Sequence, residues 1–256
     1  MDRKQVTVVI PLYKAQPDHT ELISLKQCVK ILGHYPISVV CPEHLDITAY
    51  ETECPGISFS RVSFPDIYFQ SISGYNQLML SPAFYQRFIR VKYILIYQLD
   101  AYVFRDELAY WCRQRYDYIG APQIAHANEK DGVQFLKGYT LLLGKLNRLV
   151  NTRHQISNVG NGGLSLRNTR SCYWLVRLLS RKVKKWGTNN EDVFFRYWGN
   201  LLHPLFRLPA DQVAFHFSIE QEPRAAMQRL GGQLPFGCHA FQRYDPEFWN
   251  NYFQFE

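Results

Sequence analysis

Four short stretches carry side chains whose types and spacing could do chemistry: Leu99-Asp100-Ala101-Tyr102-Val103-Phe104, Gly160-Asn161-Gly162-Gly163-Leu164-Ser165-Leu166, Asn190-Glu191-Asp192-Val193 and Gly237-Cys238-His239. Asp100 follows the uncharged run Tyr93 to Tyr97, which reads as a strand covered on both faces. In an open α/β sheet, ligands bind outside the carboxyl ends of the strands. A lone acid placed there suits a hard divalent cation, which takes one or two protein carboxylates and completes its shell with substrate phosphates. The plainer alternative is an aspartate that caps a turn.

Each of the other stretches likewise admits two readings. His239 follows Gly237 in a turn-rich tail, where an imidazole could join a mostly oxygen shell around Mn²⁺ or simply pack. Glu191-Asp192 opens a helix, whose N–H groups and macrodipole favour the ionised carboxylate that a general base needs. Capping by Asn189 or Asn190 accounts for the same pattern. Gly160-Asn161-Gly162-Gly163 would let backbone approach a ligand closely, or form an ordinary tight turn. No Gly-Lys-Ser/Thr follows it, so it is not a phosphate-binding P-loop, and the chain holds no GxGxxG, HExxH or GxSxG.

The elements that must position these residues follow a strand–helix rhythm. Val6 to Ile10 is a buried strand stopped by Pro11. Residues 20–32 have helical spacing, with Thr20 as N-cap and Gly33 as stop. Ile37 to Cys41 is a second strand and Ile57 to Phe64 a third. A polar turn and a helix occupy Ser73 to Arg90, ahead of the Asp100 strand. A helix begins at Asp106, and Tyr116 to Pro122 is a short strand. Residues 123–157 lose the rhythm and read as a long surface excursion, a candidate substrate loop. The glycine stretch feeds a strand, then Asn168 or Thr169 caps a helix running to about Trp186. Another helix opens at Asn189 to Asp192, and Val213 to Phe217 reads as a strand. The expected architecture is one α/β domain over 1–256, with a mostly parallel mixed sheet flanked by helices.

Composition narrows the classes. The chain has 256 residues, 46% hydrophobic and 20% charged, enough to bury a core and unlike a disordered chain. No apolar run approaches the roughly 20 residues of a spanning helix. The start leads directly into a strand without a cleavage signal, which reads as cytosolic. Six cysteines lie far apart with no CxxC pair, favouring reduced thiols over zinc or disulfides. The net charge of +7 suits an anionic partner. The charges are not striped and no nucleic-acid motif is present, so nucleic acid ranks low. The basic side of the helix around Arg177 to Lys185 could touch anionic lipid or an anionic acceptor, or be merely solvated.

Taken together, these stretches resemble those of nucleotide-sugar glycosyltransferases of the GT-A fold, and most nearly a bacterial family linked to surface-polysaccharide synthesis. The resemblance runs from Val8-Val9-Ile10-Pro11-Leu12-Tyr13-Lys14 to Trp249. It is specific in Tyr97-Gln98-Leu99-Asp100-Ala101, in the Asn-Gly-Gly block and in Pro235-Phe236-Gly237-Cys238-His239-Ala240. It implies a single GT-A-like, Rossmann-like domain, with a donor-binding part over about 1–122 and an acceptor and catalytic part over about 123–256. Asp100 would match the metal-binding acid of the DxD-type motif, with Gln98 where the first acid is usual. His239 would complete the sphere of Mn²⁺ or Mg²⁺, and Asp192, within Glu191-Asp192, would be the base of an inverting transfer. Pro11, Leu12, Tyr13, Lys14, Asn76, Gln98, Asp100, Gly162 and Gly163 would contact the donor, a nucleoside-diphosphate sugar with UDP favoured. The acceptor would be a glycan or lipid-linked glycan, and the setting cytoplasmic, with possible peripheral contact at the inner face of the membrane. The competing reading is a non-catalytic sugar-nucleotide or glycan-binding module.

Overall fold

The computed structural model describes residues 5–123, 145, 149, 156–187 and 189–253. Most of the surface excursion expected at 123–157 lies outside the described residues. The main sheet has six strands: β1 (Val6–Pro11), β2 (Ile37–Pro42), β3 (Phe59–Phe64), β4 (Tyr93–Tyr97), β6 (Tyr118–Ile119) and β7 (Leu164–Asn168), in the order β3-β2-β1-β4-β7-β6. The first four run parallel, and β7 is antiparallel to both β4 and β6. A second sheet joins β5 (Ala101–Val103), β9 (Gly237–His239) and β8 (Ser218–Ile219), in the order β5-β9-β8. The expectation of a central, mostly parallel mixed sheet flanked by helices is met.

Period-two alternation sorts the central strands onto two cores. Val6, Val8 and Ile10 of β1 and Tyr93, Leu95 and Tyr97 of β4 face one side, with Leu25, Cys28 and Leu32 of helix α1 (His19–Leu32). Val9, Ile94 and Ile96 face the other, with Phe84 and Tyr85 of α4 (Pro82–Arg87) and Phe194 and Phe195 further along the chain. Both faces are covered, which is why β4 reads as a continuous apolar run. All six cysteines are buried and unpaired. Among the described residues, no helix is long and apolar enough to cross a membrane.

Several boundaries differ from the sequence expectation. Helix α1 starts at His19 with Asp18, not Thr20, as its cap, because Asp18 and Glu21 form a reciprocal capping box. The single helix expected in Ser73 to Arg90 is two, α3 (Ile72–Met79) and α4, since Ser81-Pro82 starts a new one. The helix expected to reach Trp186 is likewise split, into α6 (Thr169–Leu178) and α7 (Ser180–Trp186). The strand expected at Val213 to Phe217 is helix α9 (Asp211–Phe217), and only Ser218–Ile219 is extended. Alternating Val213, Phe215 and Phe217 mimic period two, yet Ala214 between them is buried along with Phe215 and Phe217, so the burial does not alternate. So short an apolar run fits either period. His239 sits in strand β9 rather than in a turn.

Two ladders bring distant chain segments to the end of β4. Tyr97 pairs with Leu164, and Gln98 N–H donates to Gly163 O at 2.8 Å, so the glycines lie beside Gln98. Ala101 pairs with His239 across β5 and β9, which sets the histidine beside Asp100. The turn between β4 and β5 is tied from below by buried Tyr97, whose hydroxyl donates to Ala101 O at 2.9 Å or Ser24 O at 3.1 Å. Tyr97→Phe keeps the ring and removes this tie, so it should cost about 1–3 kcal/mol in urea denaturation. An unchanged midpoint would mean that the turn does not depend on the hydroxyl.

Candidate active site

The carboxyl ends of β1 and β4, the glycine turn and the start of helix α8 (Glu191–Leu201) enclose a cleft of about 780 Å³. Such a volume accommodates a small-molecule ligand. Of the residues singled out from sequence, Pro11, Leu12, Tyr13, Asn76, Gln98, Asp100, Gly162, Gly163, Glu191, Asp192 and His239 all line it. Lys14 does not; its ammonium is held by Asp18 at 3.0 Å and Glu21 at 2.8 Å. Tyr13 is 62% exposed at the rim.

At the centre, His239 is 8% exposed and held at both nitrogens. Nδ1 lies 3.3 Å from Glu220 Oε1, while Nε2 lies 3.3 Å from Gln98 Oε1 and 3.0 Å from Asp100 Oδ1. Burial would lower the imidazole pKa, but Asp100 and Glu220 outweigh it and hold it up at about 10. Burial would raise the Asp100 carboxyl, and His239 beside it reverses that, leaving it below the usual value. Asp100 Oδ1 is buried and makes no directed hydrogen bond despite its ion-pair distance to the imidazole.

This donor set fits a hard divalent cation. A carboxylate oxygen without a hydrogen bond, an amide oxygen and an imidazole nitrogen converge, and Glu220 on Nδ1 is placed to orient the ring for ligation through Nε2. Among the described residues, no group of three or more His, Cys, Asp or Glu side chains gathers at metal-ligand spacing. Ligand phosphates and water would therefore have to supply the rest of the shell.

Asp192 and Glu191 have different surroundings. Asp192 is 6% exposed; its Oδ2 accepts from Asn161 N–H at 2.7 Å and its Oδ1 from its neighbour Val193 N–H at 2.8 Å. Burial nevertheless lifts its carboxyl above the usual range. Glu191 is 2% exposed and accepts from Arg167 Nη2 at 2.6 Å, in an ion pair with both partners inside the protein. Burial pushes the Glu191 carboxyl up to about 7, against the pull of Arg167. Helix α8 begins after Asn190, but that residue makes no side-chain cap, so neither capping expectation describes this end.

The glycines are needed for a reason the sequence did not suggest. A Cβ on Gly162 would stand 2.1 Å from Glu191 Oε1, and one on Gly163 only 1.9 Å from His239 Nε2. The missing side chains make room first for two of the protein's own functional groups. Asn161, at φ 62°, turns the chain there, and its Oδ1 accepts from Gly163 N–H at 2.9 Å.

Sequence reasoning missed Arg167 and Glu220. Arg167 is fully buried, donating to Ser165 Oγ and Tyr85 Oη at 3.0 Å each as well as to Glu191, with its guanidinium over Tyr118 and Phe195. A charge at the fourth position of the otherwise uncharged strand Leu164-Ser165-Leu166-Arg167-Asn168 was its signal. Glu220 lies in a loop beyond β8 and offers no local pattern.

The fold that holds this cleft is that of the GT-A glycosyltransferases. Core-mannan synthase A of Aspergillus fumigatus, in its Mn/GDP form, matches with a TM-score of 0.52 and 9% identity, over 83% of this chain and 72% of that one. Mouse xyloside xylosyltransferase 1 in its apo form gives 0.53 and 11%, over 91% and 97%. The galactosyltransferase LgtC, in complex with donor and acceptor sugar analogues, gives 0.53 and 12%, over 91% and 86%. By sequence the chain belongs to the family described as protein of unknown function DUF5672, matched over residues 58–239. That span takes in Gln98, Asp100, both glycines and Asp192, and ends on His239. No curated protein matches the chain in sequence.

The Arg167–Glu191 pair makes a pH-dependent prediction. The folded pKa of Glu191 is about 7, above its ordinary 4.5, so its contribution to stability is present below about 4.5 and lost as pH rises through 7. Arg167→Met removes the cation opposing burial and raises that folded pKa further. The variant should then keep losing stability above pH 7, where the native chain levels off, by up to about 1.4 kcal/mol per pH unit. Urea melts near pH 6 and near pH 8.5 would test this, and a penalty independent of pH would contradict the pairing.

Proposed function

We propose that the chain is a glycosyltransferase that moves a sugar from a nucleoside-diphosphate sugar to a hydroxyl of a glycan or lipid-linked glycan, with inversion at the anomeric carbon. The observation that carries this reading is the convergence of Asp100, Gln98, His239 and Asp192 in one cleft at the strand ends of a GT-A fold. A UDP-sugar is the first donor to test and a hexose the first transferred group. The catalytic unit is taken as one domain over 1–256, its donor part within about 1–122 and its acceptor part beyond.

The charge of the cleft supports a cation in the reaction. Six carboxylates line it, those of Asp18, Glu21, Asp100, Glu191, Asp192 and Glu220. Lys14 offsets part of the charge of Asp18 and Glu21, and Arg167 that of Glu191; with Arg243 and the protonated His239 the wall still has more acids than cations. A diphosphate entering such a wall meets repulsion at close range. Asp100, Gln98 and His239, the last after giving up its Nε2 proton, would hold Mn²⁺ or Mg²⁺, which when bound neutralises the charge developing on the departing nucleoside diphosphate. Pro11, Leu12 and Tyr13 would contact the nucleoside, and Asn76 the donor beside Asn190, to which its amide donates at 3.4 Å.

Asp192 would take the proton of the acceptor hydroxyl as that oxygen attacks the anomeric carbon. Its raised pKa fits the task, since a base is most effective when its pKa approaches the working pH. Glu191, committed to Arg167, would position the helix end rather than exchange protons. The setting this implies is the cytoplasmic side of a bacterial membrane, where surface polysaccharide such as lipopolysaccharide is assembled on lipid carriers.

Two results test the proposal. Asp192→Asn should lower transfer by about 10²–10⁴-fold with donor affinity nearly unchanged; near-native turnover would remove Asp192 from the role of base. For the native enzyme, kcat/KM should rise with pH through an acid limb above the ordinary aspartate range. Chelation with EDTA should abolish transfer and added Mn²⁺ or Mg²⁺ restore it; full activity in chelator would sink the cation.

A further inference from the structure

The 22 residues from Thr169 to Asn190 contain six cations, Arg170, Arg177, Arg181, Lys182, Lys184 and Lys185, and no acid. All six are exposed, and none forms an ion pair with a described acid. The excess of basic residues over acidic ones in the whole chain is only seven, so this stretch carries most of it.

The same surface bears apolar side chains that the fold does not use. Helix α6 buries Cys172, Tyr173, Leu175 and Val176 and turns the opposite face to solvent. Arg170, Trp174, Arg177 and Leu178 share that outer face at helical spacing. Trp174 is 52% exposed and Leu178 76%. The Arg177 guanidinium lies 5.6 Å from the Trp174 ring centre, so cation and aromatic form one unit. Helix α7, which follows directly, has no buried residue, and its exposed side carries four of the cations. An exposed tryptophan and leucine among cations that no described acid neutralises match a surface that inserts apolar tips between anionic headgroups.

The surface also borders the cleft. Helix α7 ends at Trp186, whose indole N–H donates to Asn190 O at 3.0 Å. Asn190, Glu191 and Asp192 are cleft residues. The geometry points to the outer face of α6–α7 as a seat on an anionic phospholipid bilayer, holding the cleft beside the lipid surface. This rests on charge and exposure and does not require that the cleft transfer a sugar.

The test is co-sedimentation of the full chain with vesicles of phosphatidylcholine alone and of phosphatidylcholine with phosphatidylglycerol. The chain should bind the anionic vesicles and not the neutral ones, and high salt should weaken the binding. Replacing Arg181, Lys182, Lys184 and Lys185 together by Gln should reduce partition by roughly 100-fold or more. Trp174→Ser with Leu178→Ser should reduce it by about 10-fold while leaving affinity for a short DNA duplex unchanged, because only a bilayer takes up apolar tips. All six positions are exposed, and a native circular-dichroism spectrum would confirm that the variants fold. Equal binding to both vesicle types, native-like binding by the four-fold variant, or an apolar variant that binds vesicles as the native chain does would each overturn the proposal, the last by reducing the surface to a general polyanion binder.

Discussion

The buried guanidinium of Arg167 ties the elements of the cleft to one another. From strand β7 it reaches the carbonyl of Gly162 in the turn before its own strand, the hydroxyl of Tyr85 on α4, and Glu191 at the start of α8. Tyr118 and Phe195 close over its faces. A buried ion pair gains little net stability over an apolar one, but leaving one partner alone is costly. What the pair fixes is position: with Glu191 anchored, Asp192 emerges at the adjacent residue, where Asn161 N–H and its neighbour Val193 N–H hold its two oxygens. One cation thus sets two carboxylates, only one of which is left free of a counter-charge at hydrogen-bond distance.

The backbone ladders supply the other half of the geometry. His239 and Asp100 are separated by most of the chain, yet the β5–β9 register makes them neighbours, as the β4–β7 register does for Gln98 and Gly163. The absent side chain of Gly163 admits the imidazole itself. Because ladder pairing moves in whole-residue steps, a slip by one would turn His239 to the opposite face of its sheet and empty the site. The pocket is in this sense a property of two strand registers.

Much of this was legible in the sequence, for identifiable reasons. Strands β1, β2 and β4 are buried on both faces, so unbroken apolar runs announce them, and the strand-end position of Asp100 followed. The four chemical stretches were found from composition and order, and eleven of the singled-out residues line one cleft. Local pattern failed where tertiary contacts decide. Residues 213–217 fit two periods at once; they are helical, and Ala214, Phe215 and Phe217 pack into three different cores, contacts that no local spacing encodes. Glu220 matters only because β8 runs beside β9, a pairing that no spacing encodes. Arg167 was visible as a charge in a strand, but its partner is 24 residues away, on an element whose approach depends on the fold.

Gln98 stands where the sequence resemblance implies an acid, and its surroundings give that difference physical sense. A second carboxylate there would put three acids, with Asp100 and Glu220, around one imidazole. With a neutral amide, two carboxylates face one protonated imidazole, and the site carries one negative charge fewer than a two-acid motif would give it. In the proposed reaction a cation would meet weaker attraction from the empty protein than a two-acid site offers, and would owe more of its binding to the diphosphate oxygens. Cation and donor would then enter as a pair, each cancelling the charge that excludes the other, and departure of the nucleoside diphosphate would take the cation's strongest ligands with it. Such coupling follows from one oxygen, Gln98 Oε1, carrying no formal charge.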